Sequence, residues 1–121
     1  MNQIAAPLPI RLRRNRKTES VRKLLQETTL SPADLIAPFF LVEEEKTRIP
    51  IERMPGVERL SLDLLLKEAN ALHERGVQSI CLFPVINPSL KTNEAEEAWN
   101  PNGLLARAIR TLKQELPALC I

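Results

Sequence analysis

The sequence predicts a parallel α/β fold, and three observations carry that reading. Residues 35–42 and 77–85 are mostly apolar runs of strand length. Residues 60–75 and the stretch from Asn100 or Asn102 to Pro117 carry apolar positions at helical spacing. Leu119, Cys120 and Ile121 then open another apolar run. Strands alternating with helices imply right-handed parallel crossovers. Two βα units and the start of a third strand are too few to close a (β/α)₈ barrel, which takes about 250 residues. The order therefore reads as the front part of a longer enzyme.

The elements follow in order. Residues 1–16 hold Pro7, Pro9 and an arginine cluster with no sustained period, which predicts an extended arm. Such a segment cannot bury enough surface to order itself. Thr18 or Ser20 can cap a short helix reaching about Glu27, with Val21, Leu24 and Leu25 on one side. Residues 1–30 form the arm and short helix; residues 31–121 form the βα part. Ser31-Pro32-Ala33-Asp34 places a cap, a proline at N1 and an acid at N3, which starts a helical turn.

Residues 35–42 (LIAPFFLV) are apolar on both faces, as in a strand covered on both sides. Pro38 argues for an edge or a strand start, since proline removes a ladder donor. Glu43, Glu44, Glu45 and Lys46 read as a solvated loop, and Pro55-Gly56 as a turn. In residues 60–75, Leu62, Leu65, Leu66, Ala69 and Leu72 share a face, Ser61 caps, and Gly76 stands where a helix ends in φ > 0. Residues 77–85 are the second strand, and residues 87–100 a long polar loop. In the last helix Leu104, Leu105, Ala108, Ile109, Leu112 and Leu116 point inward, while Arg107, Arg110 and Lys113 face water.

Composition narrows the function. The net charge is +2, yet residues 1–30 hold seven basic side chains against Glu19 and Glu27. A basic arm on an acidic body fits docking to phosphate or to an acidic protein surface. Aromatics are 3% with no Tyr, too few for a base-stacking surface. Cys81 and Cys120 form no CxxC and read as buried strand thiols. No secretory leader and no run of about 18 apolar residues is visible, which favours a reducing cytoplasm and no membrane partner.

The search for chemistry comes back empty. A Schiff-base lysine needs an apolar pocket that lowers its pKa. Lys17, Lys23, Lys46, Lys67, Lys91 and Lys113 all fall in loops or on polar helix faces. His73 sits near a helix end without an acid or nucleophile beside it. Glu94, Glu96 and Glu97 read as a second solvated acidic loop. Trp99 reads as a loop anchor, packing on the fold or on a neighbouring subunit. No phosphate-binding glycine loop is present.

Five segments in order carry a resemblance: Arg11-Leu12-Arg13-Arg14-Asn15-Arg16, residues 35–43, Met54-Pro55-Gly56-Val57-Glu58-Arg59-Leu60-Ser61, Leu82-Phe83-Pro84-Val85, and residues 100–110 (NPNGLLARAIR). In this order the chain resembles the porphobilinogen synthase (5-aminolevulinate dehydratase) family. The resemblance implies the N-terminal part of a TIM (β/α)₈ barrel with an extended N-terminal arm, the barrel incomplete in this chain. It implies homo-oligomers, commonly octamers, joined through that arm. It also implies a lyase that condenses two 5-aminolevulinate molecules to porphobilinogen for tetrapyrrole and haem biosynthesis, through two Schiff-base lysines and Zn²⁺ or Mg²⁺.

The family's lysines, substrate residues and metal segment correspond to positions after Ile121. No catalytic residue and no metal ligand is therefore assigned here, and the 121-residue chain alone is expected to be inactive. Arg11, Arg13, Arg14 and Arg16 are expected at a subunit interface as arginine forks, and Trp99 is expected at a subunit interface as well. The loop 91–99 lacks the glycine that relatives often carry there. A different class of reading is a small module whose basic arm binds nucleic acid or an acidic protein. A third is a 121-residue product that leaves sheet edges and apolar faces uncovered and therefore associates.

Overall fold

A computed structural model describes residues 13–121. The chain divides into two units, Met1–Leu30 and Ser31–Ile121.

In the first unit a 3₁₀ turn, Arg13–Arg16, precedes helix α1, Glu19–Leu24. Thr18 caps α1 by accepting a hydrogen bond from the Val21 N–H at 3.3 Å. The helix stops at Leu24, short of the expected Glu27, and buries no residue. Leu24 is 83% exposed, so no apolar contact extends the helix past its cap.

The second unit begins with Ser31. The expected capping box forms: the Asp34 carboxylate accepts from the Ser31 N–H at 2.7 Å and from its hydroxyl at 2.8 Å. Both bonds hold the Asp34 carboxyl below its ordinary pKa, the backbone bond contributing most. Strand β1, Ile36–Leu41, follows. A hairpin comes next, β2 at Arg48–Pro50 and β3 at Glu58–Leu60, and then helix α2, Leu62–Glu74. Strand β4, Ser79–Pro84, leads through two 3₁₀ turns, Pro88–Leu90 and Glu96–Trp99, to helix α3, Leu104–Glu115.

The sheet order is β2-β3-β1-β4. β1 runs parallel to β4 along its whole length, from Ile36 opposite Ser79 to Leu41 opposite Pro84. β1 is parallel to β3 only at Phe40 and Leu41. β2 is antiparallel to β3, so the sheet is mixed. Cys120 bridges Ser79 in parallel, with the Ile80 N–H donating to the Cys120 carbonyl and the Cys120 N–H to the Gln78 carbonyl, both at 2.9 Å. The expected third strand thus begins where the sequence places it.

Pro38 lies inside β1, and the hydrogen bonds show why it is tolerated. The Leu41 carbonyl accepts from Val85 on the β4 side, and the Val42 N–H donates to Leu60 on the β3 side. Alternation places the Pro38 nitrogen on the β3 side, where pairing covers only Phe40 and Leu41. No ladder donor is missed.

Helix α2 ends as Gly76 predicts. Gly76 has φ +96°, its N–H donates to the His73 carbonyl, and the Val77 N–H donates to the Leu72 carbonyl. These two bonds are a Schellman motif, which satisfies carbonyls the helix leaves open. The Met54-Pro55-Gly56-Val57 turn has Gly56 at φ +82° and closes from the Val57 N–H to the Met54 carbonyl at 3.0 Å. It reverses the chain between β2 and β3.

Four expectations are corrected. The strands are covered on one face only. Along β1 and β4 burial alternates: Ala37, Phe39, Leu41, Ile80 and Leu82 turn toward α2 and α3, while Ile36, Pro38, Cys81 and Phe83 are exposed. Cys81 and Cys120 are accordingly exposed thiols, because both stand on the uncovered face. Second, the hairpin β2–β3 was not foreseen, and Leu60 belongs to it rather than to α2. Third, α3 is capped by Gly103, not by Asn100 or Asn102. The Asn100 side chain instead accepts from the Asn102 N–H at 2.9 Å, which holds the approach to the helix. Fourth, Ile109 is exposed and Leu105 half-buried, so the buried stripe of α3 narrows to Leu104, Ala108 and Leu112.

The core is one cluster. Phe39, Leu41, Leu60 and Ile80 of the sheet meet Leu65 and Ala69 of α2, Leu104, Ala108 and Leu112 of α3, and Leu119. Each fully buried leucine stabilises the unit by roughly 1.5–3 kcal/mol through lost apolar surface.

Candidate functional site

In parallel α/β folds chemistry gathers at the C-terminal ends of the strands. Here β1 and β4 finish level, the Val85 N–H donating to the Leu41 carbonyl at 2.8 Å. Beyond them the segments 42–44, 85–90 and 97–107 line an open cleft of about 620 Å³, with Val42, Glu43, Val85, Asn87, Asn102 and Arg107 among its walls.

Glu43 is exposed, as its charge run suggested, yet it is not unpartnered. Its carboxylate pairs with the Arg107 guanidinium of α3, joining the end of β1 to a helix 64 residues later. Both groups remain partly in water, so the pair orients the rim more than it stabilises the fold. The other side of the loop is fixed as well. Asp63 in the first turn of α2 accepts from the Lys46 N–H at 3.1 Å. The Ser61 hydroxyl above all, then that N–H and the charge of Lys67, hold the Asp63 carboxyl below its ordinary pKa. Ser61 is fully buried; its hydroxyl accepts from the Thr47 N–H and its own N–H donates to the Thr47 carbonyl, both at 3.0 Å. Arg48 then forks to Glu58 of β3 and Glu68 of α2 at 2.6 Å each, which raises its pKa and pins the hairpin to the helix.

The loop 87–100 is organised from within. Asn87 accepts from the Ser89 N–H at 3.0 Å, and Asn100 donates to the Glu97 carboxylate at 2.8 Å. A Cβ on Gly103 would lie 2.5 Å from that carboxylate and 3.2 Å from the Asn100 carbonyl, so a larger residue here would displace the Glu97 side chain from the start of α3. Ala95 holds a left-handed φ of +53°.

Reactive groups are missing from this arrangement. Among the described residues every lysine is exposed, and none lies on a strand. No group of three or more His, Cys, Asp or Glu side chains among them is placed to hold a metal ion. His73 has a buried Nδ1 with no partner among the described residues and stands on α2, away from the strand ends.

Of the five residues expected at an interface, Arg13, Arg14 and Arg16 are exposed on the first unit and Trp99 is 73% exposed on the second. Arg11 lies outside the described residues. Sequence reasoning missed the Glu43–Arg107 pair, the Thr47–Ser61 exchange and the Arg48 fork. Each joins residues 10 to 64 positions apart with no periodic signal.

Known proteins match this geometry. The family model described as delta-aminolevulinic acid dehydratase covers residues 9–121. A delta-aminolevulinic acid dehydratase of Bradyrhizobium diazoefficiens is 44% identical over 115 residues, which is 95% of this chain and 33% of the relative. A chloroplastic one of Selaginella martensii is 47% identical over 118 residues, 93% of this chain and 28% of the relative. Among solved structures, delta-aminolevulinic acid dehydratase (porphobilinogen synthase) of Toxoplasma gondii ME49, in complex with its reaction product porphobilinogen, superposes with a TM-score of 0.84. It is 45% identical, over 93% of this chain and 32% of that one. The chain thus spans about a third of the length of the relatives it matches.

Proposed function

The chain belongs to the delta-aminolevulinic acid dehydratase family, and on that premise we propose that it is the front part of a porphobilinogen synthase. Its α/β architecture superposes on about a third of a porphobilinogen synthase, and our reading is that it forms the first βα units of the family's TIM barrel. The proposed activity of the whole protein is the condensation of two 5-aminolevulinate molecules to porphobilinogen, a lyase reaction of tetrapyrrole and haem biosynthesis. Schiff-base lysines would hold the substrates, from sequence beyond residue 121.

The observation that carries the division of labour is the state of the lysines. A Schiff-base amine must lose its proton near neutral pH, which takes burial or a neighbouring cation. All the described lysines stand in water on loops or helix faces. What this segment supplies is the rim of the strand ends, held by Glu43–Arg107, Asp63–Lys46 and Thr47–Ser61.

Enzymes of this family depend on a metal, and we propose Zn²⁺ or Mg²⁺. The described residues do not fit either ion, since they form no donor set. No step is assigned through a metal here.

The remaining proposals concern assembly and place. The arm, residues 1–30, joins subunits of a homo-oligomer, with Arg11, Arg13, Arg14, Arg16 and Trp99 at the contact. Its support is that the described part of the arm buries no residue of its own. The cytoplasm is the proposed compartment; among the described residues no helix is long and apolar enough to cross a membrane. The test is porphobilinogen formation from 5-aminolevulinate. The intact protein is expected to produce it and the 121-residue chain to produce none. Turnover by the short chain, or none by the intact protein with either ion supplied, would defeat the proposal.

A further inference from the structure

We propose that Glu43 and Arg107 are positioning residues at the strand ends: their ion pair latches segment 42–47 to α3 and so sets how readily substrate is held there. This deepens the proposed function and rests on the reading that the whole protein condenses 5-aminolevulinate at these strand ends. The pair stands where two clefts meet. The cleft of about 620 Å³ beyond β1 and β4, and a second of about 380 Å³ beside α2, share Val42, Glu43, Glu44, Leu104 and Arg107 in their walls. The paired side chains partition the two hollows, and parting them would join the hollows into one.

Segment 42–47 is held unequally on its two sides. The Val42 N–H donates to the Leu60 carbonyl, the Lys46 N–H to the Asp63 carboxylate, and Thr47 exchanges two bonds with Ser61. All of these run to β3 or to the start of α2. Among the described residues the tie that crosses to α3 is the Glu43–Arg107 pair. Glu44 and Glu45 are exposed, and Lys46 takes a left-handed φ of +50°, which a side chain disfavours. Leu104 and Ala108, on either side of Arg107, are buried in the core, so α3 is the fixed post and the segment is the moving part. A segment fastened by backbone bonds on one side and by one ion pair on the other has two arrangements, latched and swung clear. A substrate that fits the latched form binds with an affinity scaled by the latched fraction. The pair belongs to binding rather than to the chemical step, because no described lysine stands beside it on a strand end. An exposed ion pair is a weak latch, so the expected change in KM is about two- to fivefold.

Steady-state porphobilinogen formation by the intact protein tests this. E43Q and R107Q should each raise KM for 5-aminolevulinate about two- to fivefold, with kcat within about twofold of wild type and an unchanged melting temperature. The double variant E43Q/R107Q should be no worse than either single one, since all three lose the same interaction. Salt raised from about 0.15 M to about 1 M should increase the wild-type KM and narrow the gap to the variants. A pair that only supports the fold would lower the melting temperature and leave KM in place. That result, an unchanged KM in both single variants, or a double variant whose rise is the product of the single rises overturns the latch and leaves the proposed function standing. If the wild-type protein forms no porphobilinogen, both fall.

Discussion

The two faces of one sheet differ more than any two elements of the chain. On one face Phe39, Leu41 and Ile80 are buried under α2 and α3. On the other, residues one step along the same strands stand in water: Ile36 is 67% exposed and Phe83 46%, with Phe83 stacked on Phe40 at 5.3 Å between ring centroids. Composition does not separate the faces, since both are apolar. What separates them is which one this stretch of chain supplies with helices. An apolar strand residue is evidence that something covers it, and the cover can lie in a distant part of the protein.

The largest expected effect breaks that comparison directly. Leu65→Ala or Leu112→Ala, in the covered core, should lower unfolding free energy by about 2–5 kcal/mol. Ile36→Ala or Phe83→Ala, on the open face, should cost less than about 1 kcal/mol in the 121-residue chain. Equal losses in urea titrations would mean that the open face is already packed. Next comes Gly76→Ala: φ is +96° and the new Cβ would sit 3.2 Å from Pro32, so a loss of about 1–2 kcal/mol is expected from the same titration.

Acid should act through Asp34 and Asp63. Both carboxyls have folded pKa values below the unfolded ones, so the stability they provide is present above the ordinary carboxylate pKa and is lost as pH falls through the lowered values. Melting temperatures followed downward from pH 5 should fall less steeply in D34N/D63N than in the wild type. Parallel curves would remove the assignment. The smallest effect sharpens the account of the loop: Ala95→Gly should stabilise by about 0.5 kcal/mol, because glycine takes the left-handed φ without a Cβ penalty.

Local chemistry made much of the second unit legible from sequence. Ser31 and Asp34 announce their box, Gly76 its Schellman turn, and Leu65, Ala69, Ala108 and Leu112 their shared face through helical spacing. The hairpin was not legible. Arg48-Ile49-Pro50 and Glu58-Arg59-Leu60 are three residues each, half of them charged, and their register depends on Thr47 meeting Ser61 and on the Arg48 fork. The cap of α3 differs from the expected one because two asparagines precede Gly103, which takes the extended cap conformation with no side-chain cap bond to announce it. The cysteines were placed inside because a strand's pattern states its alternation but not which side is covered.

The open face is the claim on which the reading of this chain as one part of a larger barrel depends, and thiol labelling tests it most directly. Cys81 and Cys120 both stand on that face. A small thiol reagent, followed by intact mass, should modify both in the 121-residue chain at the rate of free thiols and leave both protected in the whole protein. Thiols that resist in the short chain, or that react equally fast in the whole protein, would contradict it.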